Sequence, residues 1–181
     1  MKALIVVDMQ RDFMPGGALP VPGADEIIGT CNRLIEAFSG RNLPVVLTRD
    51  WHPENHVSFK VWPRHCVRGT EGAEFVVRVP EGAVIVSKAT EPDKEAYSAF
   101  QGTDLEERLR RMGVSELYVC GVATEYCVKA TVLDALRLGF RVYVVKDAVR
   151  GISEEGERRA LEEMKEEGAA VVKAADLLSG L

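Results

Sequence analysis

The sequence predicts one α/β domain with three layers, in which helices cover both faces of a mostly parallel central sheet of about six strands. Three observations support this fold class. Short β-prone apolar runs alternate with amphipathic segments along the chain, and glycines follow the amphipathic segments. The chain of 181 residues is 46% hydrophobic and 28% charged, which is typical of a single globular domain. We therefore expect residues 1–181 to form one domain.

The strands are predicted from apolar runs of four or five residues, and the helices from apolar residues at helical spacing. The predicted strands are Leu4–Val7, Val45–Thr48, Val84–Ser87, Leu117–Cys120, Val142–Val145 and Ala170–Val172. The predicted helices are Asp25–Phe38, Asp104–Met112, Glu125–Leu138 and Glu154–Glu167. A glycine that is expected to adopt the left-handed conformation ends each helix, namely Gly40, Gly113, Gly139 and Gly168.

Composition and motifs argue against several classes of function. The net charge of -5 and the lack of a Lys/Arg cluster argue against a nucleic-acid partner. The apolar run Ala3–Val7 is too short for a signal peptide, and no apolar stretch reaches membrane-spanning length, so we expect a cytoplasmic protein without a membrane partner. No glycine-rich nucleotide motif follows the first strand. This disfavours a Rossmann-type binding module, the non-catalytic alternative.

A carboxylate, an ammonium group and a thiol are predicted to meet at the carboxyl ends of the strands, where such sheets bind ligands. Asp8 ends the first strand, Lys88 follows the third, and Cys127 lies in the first turn of the helix after the fourth. Because a helix N-terminus and a nearby ammonium group favour a thiolate, we expect a lowered pKa for Cys127. Such a set suits amide hydrolysis through a thiol nucleophile. Alternatively, Cys127 is a small buried residue, Asp8 a turn residue and Lys88 a solvent-exposed cation.

A second cluster of polar residues follows the second strand. All three histidines of the chain, His52, His56 and His65, lie in one short segment beside Asp50. Positions two apart point the same way in an extended segment, so Asp50 and His52 are predicted to bind one zinc, iron or manganese ion. The third ligand comes from the following loop, where Cys66 could replace or join His56. The alternative is a polar loop whose histidines bond to the backbone.

Aromatic residues near the same edge could form the walls of a pocket for a flat ring. These residues are Phe13, Trp51, Trp62 and Tyr97. Phe13 and Trp62 lie in irregular polar segments, which favours a role in the pocket over a place in the core.

Four motifs together resemble a known enzyme family. They are Val-Asp8-Met-Gln-Arg-Asp-Phe13, Asp50-Trp-His52-Pro, Ser87-Lys88-Ala and Gly121-Val-Ala-Thr-Glu-Tyr-Cys127-Val. From Ala3 to about Val172, the chain is similar to the metal-dependent nicotinamidases among the isochorismatase-like cysteine hydrolases. The resemblance implies an isochorismatase-like fold and hydrolysis of nicotinamide to nicotinate and ammonia in NAD salvage.

The resemblance also implies a role for each matching residue. Cys127 is the nucleophile, Asp8 transfers the proton, and Lys88 holds both. The backbone N–H groups of Ala123 and Cys127 form the oxyanion hole, and a cis peptide precedes Ala123. One divalent metal ion, zinc before iron or manganese, binds Asp50, His52 and His65, with His56 outside the set of ligands. The ring pocket is formed by Phe13, Trp62, Tyr97 and Val122.

Two positions depart from the family pattern: the segment between His56 and Trp62 is short, and Ala99 stands at a glycine position. Rival functions are another amide or N-carbamoyl hydrolase on the same fold, and a metal-binding protein that keeps Cys127 as a redox sensor. Related amides such as pyrazinamide are expected substrates. The sequence leaves the native metal and the oligomeric state open, a homo-oligomer included.

Overall fold

The computed structural model describes residues 1–181 and contains one sheet of six parallel strands. In chain order the strands are β1 (Lys2–Val7), β2 (Val45–Asp50), β3 (Val84–Lys88), β4 (Glu116–Val122), β5 (Arg141–Arg150) and β6 (Ala170–Val172). The spatial order is β3-β2-β1-β4-β5-β6. The chain thus runs outward from β1 to one edge, returns to β4 beside β1, and runs outward to the other edge. The prediction of a parallel sheet of about six strands is confirmed.

Five α-helices cover the two faces of the sheet. They are α1 (Ile28–Gly40), α2 (Leu105–Arg111), α3 (Lys129–Arg137), α4 (Glu154–Glu166) and α5 (Ala174–Gly180). On one face, α1 and α5 bury residues such as Leu34, Phe38 and Leu177 in a core of 24 buried residues. On the other face, α2, α3 and α4 bury residues such as Leu109 and Val132 in a core of 22. This is the predicted three-layer arrangement. No helix combines the length and the apolar character that crossing a membrane requires.

The strand order puts a topological switch point between β1 and β4, the position at which such folds bind ligands. Val7 is in register with Gly121 there. Gly121 has φ +115°, and a Cβ atom on it would collide with the Val7 carbonyl. Only glycine therefore fits where the two central strands end, directly before the turn that carries Cys127.

The structure corrects several predicted boundaries. The first helix begins as a 3-10 turn over Ala24–Ile27, and the turn at Thr124–Val128 is π-helical before α3 begins. Strand β5 runs five residues beyond the predicted end, because it bulges between Val144, which pairs with Val119, and Val149, which pairs with Gly121, and then resumes its pairing with β4. Helix α5 was not predicted, because its seven residues give too short a pattern.

The predicted left-handed glycines are found at three of the four helix ends, Gly113, Gly139 and Gly168. Gly40 was wrongly predicted to have this role. It lies within α1, and Asn42 takes the left-handed conformation instead, with φ +57°. Asparagine is the non-glycine residue that tolerates this conformation best, so the turn into β2 forms without glycine.

Candidate active site and metal site

The predicted carboxylate, ammonium and thiol meet at the carboxyl edge of the sheet. Lys88 Nζ lies 3.0 Å from Asp8 Oδ2 and 3.5 Å from Cys127 Sγ. Asp8 and Lys88 are each 1% exposed, and Cys127 is 7% exposed. The three groups come from the ends of β1 and β3 and from the turn after β4. They are close because these strands end at the same edge.

The two oxygens of Asp8 have different surroundings. Thr48 donates its hydroxyl to Oδ1 at 2.8 Å, and accepts the backbone N–H of Asp8. Oδ2 is buried within ion-pair distance of Lys88 but accepts no well-aligned hydrogen bond. Asp8 also adopts a left-handed backbone conformation, with φ +50°, which is uncommon outside glycine and concentrates at functional sites. Oδ2 is therefore the oxygen free to accept a proton.

Burial and the neighbouring charges decide the protonation of this group. Burial raises the pKa of Asp8, and Lys88 only partly opposes the effect. Burial alone would lower the pKa of Lys88, but Asp50 and Asp8 together hold it well above its usual value. Lys88 therefore stays charged while two carboxylates compete for it.

The expected lowering of the Cys127 pKa is not found. Burial raises the pKa of this thiol well above its usual value; Lys88 opposes this effect, and the charges of Asp8 and Asp50 add to it. The sequence suggested the helix N-terminus and one ammonium group, but the fold adds burial and two carboxylates. The thiol thus carries its proton at neutral pH and needs an acceptor, a role that Asp8 Oδ2 is placed to fill.

A second cluster lies on the far side of Lys88. The side chains of Asp50, His52 and His65 offer one ligand atom each, all within 4.8 Å of one another and all buried. His52 Nε2 lies 3.3 Å from His65 Nε2 and 3.5 Å from Asp50 Oδ2, and His65 Nε2 lies 3.7 Å from that oxygen. Two donors on one tetrahedral zinc ion lie about 3.3–3.5 Å apart.

The partners of the histidines show why this cluster fits a cation. His52 Nδ1 donates to the Ala89 carbonyl at 2.9 Å, and His65 Nδ1 donates to the Pro63 carbonyl at 2.7 Å. Because carbonyl oxygens only accept, each Nδ1 carries a proton, and each Nε2 is the ring atom left to bind a cation when the ring is neutral. The two Nε2 atoms and a carboxylate oxygen thus face one another in a buried space. Two neutral imidazoles and a carboxylate suit a transition metal, zinc above all.

Neither alternative ligand joins this cluster. His56 stacks on His52 with ring centroids 4.1 Å apart, but its Nδ1 bonds to Ser58 and its Nε2 donates to the Lys94 carbonyl. Cys66 has a structural role, in which its N–H donates to Asp12 and its carbonyl accepts the N–H of His52. Burial, with the nearby carboxylates, raises the pKa of the Cys66 thiol, which disfavours the thiolate that a metal requires.

An apolar pocket lies between the thiol and the metal cluster. All four predicted ring-binding residues line it, and so do Asp8, Asp50, His65, Ala123 and Cys127. The four are Phe13, Trp62, Tyr97 and Val122. Trp51 does not line it; the Arg49 guanidinium lies 3.7 Å from the centre of its ring. The fold therefore places a mostly apolar pocket against Cys127.

Five further residues of the pocket were not predicted: Leu19, Val21, Glu95, Tyr126 and Ile152. Tyr126 precedes Cys127 in the motif, and this adjacency was an available signal. Ile152 follows the carboxyl end of β5. It was missed because the predicted strand ended at Val145, so Ile152 was not recognised as following a strand end. Leu19, Val21 and Glu95 lie in irregular segments without a recognisable pattern.

The turn before Cys127 has the backbone form that the resemblance implied. The Val122–Ala123 peptide is cis. The N–H of Ala123 donates no hydrogen bond within the protein, although its carbonyl accepts from Tyr126 and Val128. An unused backbone donor beside the thiol, at the rim of the pocket, is suited to hold a negatively charged oxygen.

The two departures from the family pattern leave the site complete. The short segment after His56 forms a 3-10 turn, Val57–Lys60, whose Phe59 packs edge-on against His65 with ring centroids 5.7 Å apart. The turn is thus long enough to bring Trp62 and His65 to the site. Ala99 is fully buried and does not line the pocket.

A profile of the isochorismatase domain family matches residues 2–176. The chain belongs to the isochorismatase family. Within this family, it is 38% identical over 204 residues to the nicotinamidase of Escherichia coli K12, covering 97% of this chain and 96% of the relative.

Two solved structures are also similar to this chain in sequence and in fold. The pyrazinamidase of Pyrococcus horikoshii in complex with zinc is 64% identical and has a TM-score of 0.94, with 95% of this chain and 98% of that chain covered. The N-carbamoylsarcosine amidase of Thermoplasma acidophilum is 32% identical and has a TM-score of 0.83, with 96% of each chain covered. The isochorismatase-like fold is confirmed, and both enzymes cleave bonds of the amide class.

Proposed function

We propose that this chain is a nicotinamidase, which hydrolyses nicotinamide to nicotinate and ammonia in NAD salvage in the cytoplasm. One observation carries the proposal. One apolar pocket is lined both by Cys127 and by Asp50 and His65 of the proposed metal site, so that a flat ring bound in it can meet the thiol and the metal ligands together. The similarity to nicotinamidases supports the same substrate.

Binding uses the shape and the chemistry of the pocket. Phe13, Trp62, Tyr97 and Val122 offer apolar and aromatic surface to a pyridine ring. Asp50, His52 and His65 would hold one divalent metal ion, which when bound supplies a Lewis acid for the lone pair of the ring nitrogen. We propose zinc for this donor set, with iron or manganese as alternatives.

The first half of the reaction forms a thioester and releases ammonia. Asp8 Oδ2 takes the thiol proton of Cys127 while the sulfur attacks the carboxamide carbon. The N–H groups of Ala123 and Cys127 stabilise the oxyanion, and the Lys88 ammonium stabilises the developing thiolate. Asp8 then gives its proton to the leaving nitrogen, and the C–N bond breaks.

The second half regenerates the enzyme. Asp8 takes a proton from a water molecule that attacks the thioester carbon, the C–S bond breaks, and the proton returns to the sulfur. Nicotinate leaves, so one amide and one water yield one acid and one ammonia. Since Asp8 both takes and returns a proton in each half, its raised pKa suits the role better than that of an exposed carboxylate.

The test is ammonia release from nicotinamide by the zinc-loaded protein, by Cys127→Ala and by Cys31→Ala. Cys31 is a matched control because it is also a buried thiol but packs in the core on the other face of the sheet. We expect release by the wild type and by the Cys31 variant, and none by the Cys127 variant. Absence of release by the metal-loaded wild type would refute the proposal and favour a redox-sensing role.

Hydrolysis of N-carbamoyl compounds is a second candidate, favoured by the likeness to the Thermoplasma amidase. Such substrates lack a ring nitrogen, so they gain nothing from the Asp50–His65 cluster. We expect N-carbamoylsarcosine to release ammonia far more slowly than nicotinamide in the same assay. Faster release from the carbamoyl compound would favour N-carbamoyl hydrolysis over the nicotinamidase function.

A further inference from the structure

Glu125 joins the turn of Cys127 to the loop that follows β5. Its carboxylate accepts the backbone N–H of Ile152, with Oε1 at 3.0 Å and Oε2 at 2.8 Å. Oε2 also accepts the N–H of Ser153 at 3.3 Å. Ser153 is the N-cap of α4, so the carboxylate lies where the helix dipole favours negative charge.

The loop is built around this carboxylate. A Cβ atom on Gly151 would lie 2.7 Å from Glu125 Oε1, and one on Gly156 would lie 2.6 Å from Oε2. Glu157 adds a second connection, since it accepts the N–H of Gly151 at 2.9 Å and the hydroxyl of Thr124 at 3.3 Å. Both acidic residues thus fix the same short loop to the same turn.

The loop holds one wall of the ring pocket. Ile152 lines the pocket although it is 45% exposed, and it packs into neither of the two hydrophobic cores. Apolar packing therefore does not fix its position. Polar contacts therefore hold the loop, and among them only the bonds to Glu125 act on the N–H of Ile152 itself.

We propose that Glu125 is a positioning residue that sets the Ile152 wall of the pocket and so strengthens the binding of flat heteroaromatic amides. The inference rests on the proposed nicotinamidase function. Glu125 touches neither the ring nor the thiol, and it acts through the Ile152 and Ser153 N–H groups. Without the Glu125 carboxylate, Ile152 is no longer held in the pocket wall and ring binding weakens, while Asp8, Lys88 and Cys127 stay in place.

The test is a double-mutant cycle in zinc-loaded protein, with kcat and KM for nicotinamide measured in Glu125→Ala, Ile152→Ala and the double variant. We expect KM to rise about tenfold in each single variant, because one lost apolar contact in a pocket has about this effect. The kcat value should change less than threefold. In the double variant KM should match that of the single variants. If Glu125 acts only by positioning the Ile152 side chain, its loss has no further effect once that side chain is absent.

Two controls separate positioning from general damage. Glu163→Ala breaks the ion pair at 3.1 Å between Lys129 and Glu163, which joins α3 to α4 away from the pocket, and it should leave KM unchanged. The rate of alkylation of Cys127 by iodoacetamide, a small amide without a ring, should be the same in Glu125→Ala as in wild type. Glu125→Gln keeps one acceptor oxygen and should give an intermediate KM.

Three results would overturn the proposal: additive KM effects in the double variant, an unchanged KM in Glu125→Ala, or a kcat loss that accompanies slower alkylation. The first two would show that Glu125 does not act through Ile152. The third would show a disturbed nucleophile turn. Failure of the proposed function is distinguishable, because the wild type itself would then release no ammonia.

Discussion

The ammonium of Lys88 lies 2.5 Å from Asp50 Oδ1, while Asp50 Oδ2 faces His52 and His65. One carboxylate therefore belongs to both clusters, with one oxygen toward the proposed catalytic group and the other toward the metal site. Burial would raise the pKa of Asp50, but Lys88 and the two histidines hold it well below its usual value. Asp50 thus stays ionised, and we expect changes in one cluster to be felt in the other.

Replacing Lys88 by methionine tests this link. The variant leaves Asp8 and Asp50 buried without their shared cation, which we expect to lower the free energy of unfolding by about 3–5 kcal/mol. Activity should be lost and zinc affinity altered, because both carboxylates change their environment. Urea unfolding and zinc titration measure the two effects.

Lys94→Met is the matched control for that substitution. Lys94 pairs with Glu91 at 2.8 Å on the surface, where such pairs contribute little. We expect no change in its Tm. Equal stability of the Lys88 variant and the wild type would mean that the buried carboxylates are protonated rather than paired.

The pH dependence of Cys127 alkylation tests the raised pKa of the thiol. Burial and the Asp8 charge raise this pKa in the metal-free protein, so alkylation by iodoacetamide should be slow at pH 7 and accelerate only in alkaline solution. Asp8→Asn removes a negative charge that disfavours the Cys127 thiolate, so the pKa of the Cys127 thiol should fall in this variant. Below the pKa, each unit of lowering raises the thiolate fraction about tenfold.

The Asp8→Asn variant should therefore react faster with iodoacetamide at pH 7 while it fails to hydrolyse nicotinamide. Mass spectrometry of the labelled peptide assigns the reaction to Cys127 rather than to the other buried thiols. Slower alkylation in this variant would show that Asp8 favours the thiolate in the resting protein, contrary to the charges described above.

Metal removal should show which of two neighbouring histidines binds zinc. The rings of His52 and His56 stack 4.1 Å apart, but only His52 is proposed as a ligand. A ligand that binds only the native state at about 100 times its Kd stabilises that state by about 2.7 kcal/mol. Zinc should therefore raise the Tm of wild type and of His56→Gln, but not that of His52→Gln. Thermal scans with zinc and after chelation measure this difference. A zinc effect lost in His56→Gln and kept in His52→Gln would reassign the ligands.

Two glycines give opposite expectations for the same substitution. Gly121→Ala places a Cβ atom against the Val7 carbonyl at φ +115°. We expect the free energy of unfolding to fall by more than about 2 kcal/mol and the activity to be lost. Gly40 lies in α1 with open space around it, so Gly40→Ala should stabilise by about 0.5–1 kcal/mol. Unfolding curves of the two variants make the comparison, and similar Tm values would contradict it.

The sequence by itself determined the order of strands and helices, the parallel sheet and most of the site. Alternating apolar runs imply parallel strands, and parallel strands end at one edge, so Asp8, Lys88 and Cys127 could be placed together without coordinates. The grouping of Asp50, His52 and His65 followed from the family motifs, because a loop alone left the third ligand open.

Only the tertiary structure decided the protonation of Cys127 and the role of Ile152. The pKa of a thiol depends on burial and on charges from several strands, and no local pattern contains these distances. Ile152 reaches the pocket because a bulge extends β5 and Glu125 binds the following loop. Such contacts join residues about 27 positions apart, so they exist only once the sheet has formed.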